Sequence, residues 1–359
     1  MRKPAIYLAS VAGSCYELLE SLGCASAADL VAFVQSAVGD GYRVEGDAAL
    51  IEAETDGRHG RSDDAERAKA IEGRLADDGT AAFVALRGGA WLTRTLGQID
   101  FEVLKRRCRL IAMFGFSELT TLLNIASAYP QAFCLYDLGP AFIRDGLRDY
   151  ARRHPDELTE AGADQRFPQE FAAFFQDVRS ILEGRGSRRS ITGTLVAGAS
   201  PGRVYTRFVG GNLAVLTTLL GTPYASALDP RGRWLALEDI NESPERIDRR
   251  LAHLKLAGFF EHCAGLLIGD FHDQDRDHQE TVLELLRYHL VPERDLPIIT
   301  TRDVGHVWPL APLPLNWPVT LERVGVEGDK PRVRFIVDWP GSDLDPEGQS
   351  SSSSSGSGS

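Results

Sequence analysis

Ser117 follows Gly115 and Phe116 directly after the apolar run 110–114, and a helical pattern through Leu119, Leu122, Leu123 and Ala126 begins just beyond it. A serine at such a strand-to-helix turn faces the free N–H groups and positive end of the helix, which favours negative charge developing on its hydroxyl. The same residue can also do no more than cap that helix. Nucleophilic attack needs a base to take the hydroxyl proton and an acid to hold the base's tautomer. Among eight histidines, His306 is the best placed, because it follows the apolar run 296–300 and Gly305, whereas His253, His262 and His289 fall on helical patterns. For the acid, Trp234-Leu235-Ala236-Leu237 reads as a strand that stops at Glu238-Asp239, leaving Glu238 at its edge. The plainer readings are a hydrogen-bonded structural histidine and an exposed turn acid.

The elements that must position these groups follow a recognisable rhythm. Apolar runs at 5–11, 81–86 and 110–114 alternate with amphipathic stretches, the pattern of βαβ units. Between the first two, Ser62 precedes Asp63 and Asp64, and Ala65, Ala68, Ile71 and Leu75 recur at helical spacing, which predicts a helix capped by Ser62. The second run ends in Arg87-Gly88-Gly89. From about 144 to 189 the chain is charged and polar around a patch of Phe167, Phe171, Phe174 and Phe175, and reads as a connector with some helix. Short strand-like runs at 192–197, 204–208 and 234–237 follow. Ser243-Pro244 then opens a helix through Ile247, Leu251 and Leu254 that Gly258 closes. The expected division is a nucleophile-bearing domain over 1–150, a connector over 151–190, a β-rich domain carrying the acid and the histidine over 191–342, and a disordered Ser/Gly tail over 343–359.

Composition narrows the partners. A chain of 359 residues with net charge −12 repels phosphate backbones, so nucleic acid is not an expected partner and a small peptide fits better. Five cysteines, odd in number and never spaced as CxxC, argue against a disulfide framework or a zinc knuckle and suit a reducing cytoplasm. Met1-Arg2-Lys3, the apolar run 5–13 and Cys15 have a faint likeness to a lipoprotein signal, but that run equally reads as a buried first strand. No stretch approaches the length of a membrane span. The acids and histidines of 270–278 match no metal-site spacing and read as a solvated turn, so neither metal nor other cofactor is expected.

Several separated segments resemble the signature of the LD-carboxypeptidase family, the muramoyltetrapeptide carboxypeptidases with the microcin-immunity peptidases as a branch. They are Arg87-Gly88-Gly89, Gly115-Phe116-Ser117-Glu118, Gly210-Gly211-Asn212-Leu213, Leu237-Glu238-Asp239 with the helix through Ile247-Asp248-Arg249 and Leu254 to Gly258, and Gly305-His306 with Pro312-Leu313-Pro314-Leu315. The resemblance implies an α/β fold, with a Rossmann-like N-terminal domain, a smaller β-rich, barrel-like C-terminal domain and an active site in the cleft between them. It implies Ser117 as nucleophile, His306 as base and then acid, and Glu238 as the residue orienting His306. The N–H of Glu118 with one from Gly88 or Gly89, Gly88 being favoured, would form the oxyanion hole. Arg87, Trp91 and Asn212 would face substrate, with Arg188 and Arg189 as further candidates for a carboxylate. A homodimer is also implied.

Two departures flank the expected cleft: Ala90-Trp91 replaces the family's usual Tyr-Gly, and Asp137-Leu138-Gly139-Pro140 stands where His-Gly-Pro is usual. The expected activity is hydrolysis of the amide next to a D-configured centre in murein tetrapeptides, through an acyl-enzyme. The alternatives are cleavage of a microcin C-like peptide–nucleotide, with the Phe171 cluster stacking the base, and a ligand-binding protein that has lost turnover.

Overall fold

A computed structural model describes residues 2–55, 60–199, 202–273, 276–290 and 294–340. The Ser/Gly tail expected over 343–359 lies outside the described residues.

The architecture is α/β, as expected, and its fifteen strands among the described residues join into one mixed sheet. One half is parallel, in the spatial order Arg43–Gly46, Ala5–Ala9, Thr80–Ala85, Ile111–Gly115 and Ala132–Tyr136. All but the edge strand Arg43–Gly46 are buried along their whole length because helices cover both faces, which is why they are rich in apolar residues. A second parallel set follows, Phe208–Asn212, Trp234–Ile240, Gly265–Asp273 and Ile298–Thr300. The sheet then continues antiparallel through Ile191–Ala197, Lys330–Val337, Val319–Glu327 and Val204–Thr206.

The two parallel sets are joined by a three-residue strand, Leu313–Leu315. It pairs antiparallel with Ala132–Tyr136 and, through Leu315 and Phe208, parallel with Phe208–Asn212. The surrounding run 307–315 is apolar but interrupted by Pro309, Pro312 and Pro314, so it does not read as a strand, and its pairing is entirely long-range.

The sequence expectations need three corrections. The first concerns the helix of 64–76, whose cap position is Asp63 rather than Ser62. The Asp63 carboxylate instead receives the guanidinium groups of Arg61 and Arg67, both buried. These arginines also reach the end of the first strand: Arg61 donates to the Ser10 carbonyl at 2.8 Å, and Arg67 to the carbonyls of Val11 at 2.8 Å and Trp91 at 3.0 Å. The polar stretch read as a connector is the second. It holds the helices Ile143–Arg153 and Glu160–Leu182, the latter 23 residues long with Pro168 inside it. Thr159 caps it by accepting from the Gly162 N–H. Phe167, Phe171, Phe174 and Phe175 lie on its inner face, where Phe171 meets Phe33 edge-on at 5.7 Å and Phe174 meets Phe114 at 6.4 Å. All four rings are buried, so none can stack on a nucleobase.

The third is the acidic 270–278 stretch, whose first residues are buried strand rather than a solvated turn. Gly265–Asp273 is one strand, paired back on Arg276–Asp277, and Asp270 is buried, holding His272 Nδ1 and, at 2.8 Å, Arg302. Gln274 and Asp275 lie outside the described residues. Burial penalises the His272 cation, but Asp270 outweighs it and raises this imidazole's pKa. Among the described residues, no three or more His, Cys, Asp or Glu side chains are grouped to hold a metal ion. No helix of the described residues is long and apolar enough to cross a membrane.

Candidate active site

The chain turns sharply at Ser117, between the strand ending at Gly115 and the 3₁₀ turn that follows. Its φ is +57°, a left-handed value that costs a non-glycine residue about 1–2 kcal/mol and that the surroundings must enforce. Gly115 makes the turn possible, because a Cβ there would lie 2.7 Å from the Leu119 Cβ. A 3₁₀ turn over Ser117–Leu119 and the helix Thr120–Ser127 follow. Thr120 Oγ1 secures the turn by donating to the Ser117 carbonyl at 2.6 Å, and it accepts from the Asn212 N–H at 3.0 Å. Asn124 pins the same helix to the second parallel set, exchanging hydrogen bonds with both backbone groups of Gly210.

The Arg87-Gly88-Gly89 loop lies against this turn. A Cβ at Gly88 would stand 2.8 Å from the Ser117 Cβ and 3.4 Å from its Oγ, so only glycine lets the loop approach the hydroxyl this closely. The Gly88 carbonyl accepts from the Gly13 N–H at 2.8 Å. Among the described residues, no protein group accepts from the N–H of Gly88, Gly89 or Glu118. The Glu118 side chain clamps the far end of the loop: Oε1 accepts from the N–H of Leu92 at 3.1 Å, the N–H of Thr93 at 3.0 Å and Thr93 Oγ1 at 3.0 Å.

Glu238 and His306 meet. The strand Trp234–Ile240 runs past Glu238 rather than stopping before it, and both Glu238 and Asp239 are buried. Glu238 Oε2 contacts His306 Nδ1 at 2.7 Å, and Oε1 accepts from the Tyr136 hydroxyl at 2.6 Å. The Tyr136 oxygen in turn accepts from the Ser117 N–H at 3.1 Å. The imidazole of His306 lies 4.3 Å from the ring of Phe116, the residue before Ser117, and 5.5 Å edge-on from Phe142. Its loop is held by the Val304 carbonyl, which accepts from the Asp270 N–H, and by Asp303, whose carboxylate takes the N–H and hydroxyl of Thr192. Among the described residues, no hydrogen bond joins Ser117 Oγ to His306. Such contacts commonly close only when substrate arrives.

Asp239 explains why a strand could continue through two acids. Burial and then the neighbouring Glu238 push its carboxyl up to about 7, while hydrogen bonds from Asn212 Nδ2 at 2.8 Å, Ala214 N–H at 2.9 Å and Ile240 N–H at 2.9 Å pull the other way. Asn212 is itself buried, donating to Asp239 and capping the turn Leu213–Leu216 through the Val215 N–H. Both ends of its amide are thus committed inside the protein. Trp91 is half-buried at φ +69°, its ring pressed on the backbone of Gly60, where a Cβ would stand 2.0 Å away. Arg87 is partly exposed and makes long contacts to the Ser14 carbonyl at 3.2 Å and Glu17 at 3.4 Å. Arg188 is exposed, whereas Arg189 is partly buried and donates to the Leu310 carbonyl at 3.0 Å. A cavity of about 490 Å³ flanks the histidine loop, lined by Tyr150, His154, His272, Arg302 and Trp308 among others.

Asp137 is buried, and that burial together with Asp177 pushes its carboxyl up to about 7, against Arg189. The folded chain therefore keeps a proton there that an unfolded aspartate releases near its ordinary 3.8. An acid raised in this way favours folding below the unfolded value, and that contribution is lost as pH climbs through about 7. Asp137→Asn keeps the oxygen that accepts from the Leu138 N–H and removes the charge. Calorimetry is expected to show the variant gaining more Tm over the native protein at pH 8 than at pH 5; an equal difference at both would contradict the assignment.

Residues 7–134 match the LD-carboxypeptidase N-terminal domain and residues 206–321 the LD-carboxypeptidase C-terminal domain. The chain is 29% identical over 257 residues to a Bacillus subtilis (strain 168) protein named "Probable murein peptide carboxypeptidase", covering 70% of this chain and 72% of that one. Its fold is similar to the muramoyltetrapeptide carboxypeptidase of Oxalobacter formigenes, with a TM-score of 0.61, 22% identity, and 93% and 100% of the two chains covered. It is similar also to the microcin C7 self-immunity protein MccF in complex with aspartyl sulfamoyl adenosine, with a TM-score of 0.64, 16% identity, and 94% and 97% covered. At these identities the two structures speak for the fold alone.

Proposed function

Because the chain belongs to the LD-carboxypeptidase family and is a serine-type carboxypeptidase-like hydrolase, we propose that it removes the terminal residue from murein-derived tetrapeptides by attack of Ser117, with His306 as base and Glu238 as its orienting acid. The observation that carries this reading is the 2.7 Å contact of Glu238 Oε2 with His306 Nδ1, beside the ring of Phe116.

With Nδ1 committed to Glu238, Nε2 is the nitrogen left to take the Ser117 proton as Oγ bonds to the substrate carbonyl carbon. The imidazolium, stabilised by the buried carboxylate, then passes that proton to the leaving amine. Water, deprotonated by the same nitrogen, releases the acyl group and restores Ser117. The oxyanion formed in both halves needs donors fixed in advance, each typically worth about 3–4 kcal/mol. The N–H of Glu118 is one. For the second, the peptide joining Gly88 to Gly89 turns its carbonyl to Gly13, and a planar trans peptide then directs the Gly89 N–H the opposite way. The Gly88 N–H, on the peptide before it, remains the favoured donor, with the Gly89 N–H as the alternative. On the substrate side, Arg87 is a partly exposed cation on the loop beside Ser117 and Trp91 a half-buried wall. Asn212 acts through the turn it caps.

Action in the cytoplasm, as a homodimer, belongs to the same reading and rests on the family resemblance. The buried free thiols of Cys15, Cys134 and Cys263 are at home in a reducing compartment. A peptide–nucleotide substrate is the second reading, favoured by the likeness to MccF across 94% of the chain, although the buried Phe171 cluster offers it no stacking surface.

Murein tetrapeptide and an aminoacyl-sulfamoyl adenylate, offered side by side to the purified protein, separate the alternatives. Release of D-alanine from the tetrapeptide is the expected result. Cleavage of the adenylate alone would move the substrate to the second reading, and binding without cleavage of either would reduce the protein to a ligand-binding homologue.

A further inference from the structure

The acid and the nucleophile turn are joined by a side chain outside the three reacting groups. We infer that Tyr136 is a positioning residue for this reaction: its phenol holds the orientation of the Glu238 carboxylate and the left-handed turn of Ser117 at once. The inference rests on the Ser117, His306 and Glu238 reading above.

Hydrogen-bond accounting carries the argument. An ionised carboxylate accepts only, so the 2.6 Å contact to Glu238 Oε1 uses the single proton of the phenol. The phenol oxygen then has lone pairs left, and one accepts from the Ser117 N–H at 3.1 Å. That N–H is thereby turned away from any oxyanion, which leaves the task to Glu118 and Gly88 or Gly89. Glu238 is fully buried, and among the described residues its two oxygens have one partner each: Tyr136 on Oε1 and His306 on Oε2. Removing the phenol would leave a buried carboxylate oxygen unpaired and free the carboxylate to rotate away from the imidazole.

Tyr136 is built to hold still. It ends the strand Ala132–Tyr136, in register with Gly115 on one side and Leu313 on the other. Its ring packs 5.5 Å from that of Phe116 and lies over Gly211, where a Cβ would stand 3.0 Å from Cε2. Burial and Glu238 hold its pKa well above the ordinary value of 10, so the phenol stays a donor across the working pH range.

The test is Tyr136→Phe beside Ser117→Ala, with kcat and KM measured on whichever of the two amides above the native protein cleaves. Tyr136→Phe is expected to lower kcat about 10- to 100-fold, the range expected for losing one hydrogen bond to a charged group, with KM within about twofold of native. A merely structural tyrosine would lower Tm and leave kcat in place, and that result overturns the inference. Should the phenylalanine variant not fold, 3-fluorotyrosine and 3,5-difluorotyrosine placed at 136 keep shape and hydroxyl while making the phenol more acidic. A graded change of kcat along that series supports the role, and a flat series overturns it. Ser117→Ala separates the premise from the inference. Loss of activity there with normal kcat in Tyr136→Phe removes only the tyrosine's role, whereas activity surviving in Ser117→Ala, or a native protein that cleaves neither amide, removes both.

Discussion

Ser117→Ala is expected to cut turnover on the order of 10⁴-fold or more while leaving the fold intact. Alanine loses only Oγ and keeps the N–H that Tyr136 accepts from, so the turn keeps that anchor. The loss of one oxygen therefore reports chemistry rather than structure. Residual rate over water would come from the oxyanion donors and substrate binding, which the substitution leaves in place. Steady-state release of the terminal amino acid, with circular dichroism as the folding control, measures this. A rate within tenfold of native would put the nucleophile on another residue.

Glu238→Gln is expected to lower kcat about 10⁴-fold, the cost of a wrong imidazole tautomer in a triad. The substitution keeps the side chain's shape but replaces one of two accepting oxygens by a donor. That amide cannot accept from both Tyr136 and His306, and whichever contact it spoils matters: losing the one to His306 removes the acceptor for the Nδ1 proton and lets the ring present that proton to Ser117 instead. Because Glu238 is fully buried, water cannot step in as a substitute acceptor. The expected signature is a fall in kcat with KM little changed, read from the same assay. A variant that keeps native kcat would show that His306 holds its tautomer without the carboxylate.

How much of this was legible in the sequence depended on how local each feature is. Three strands of the parallel half, Ala5–Ala9, Thr80–Ala85 and Ile111–Gly115, announced themselves because burial on both faces makes them continuous apolar runs, whereas Arg43–Gly46 and Ala132–Tyr136 did not stand out, and the Ser117 turn was marked by Gly115 and the helical spacing after it. The end of the Glu238 strand was misjudged because two acids look like a boundary; Asp239 stays inside only by drawing on Asn212, Ala214 and Ile240, two of them more than twenty residues away. The Phe face of Glu160–Leu182 did carry a signal, with Phe167, Phe171, Phe174 and Phe175 at helical spacing, but Pro168 and the surrounding charges masked it. Tyr136 could not have been found: its hydroxyl partners lie 19 and 102 residues away, and along the chain it is one more residue of a buried strand. The pairing of the link strand Leu313–Leu315 was hidden for the same reason, although Pro312-Leu313-Pro314-Leu315 stood out as a family segment.

The Glu118 clamp bears on how this scaffold could be redesigned. Its carboxylate reaches across to Leu92 and Thr93, immediately beyond the Ala90-Trp91 departure. Grafting a Tyr-Gly pair at 90 and 91 would alter the loop that Glu118 now braces at Leu92 and Thr93. Libraries aimed at altered substrate choice should vary these positions as a set.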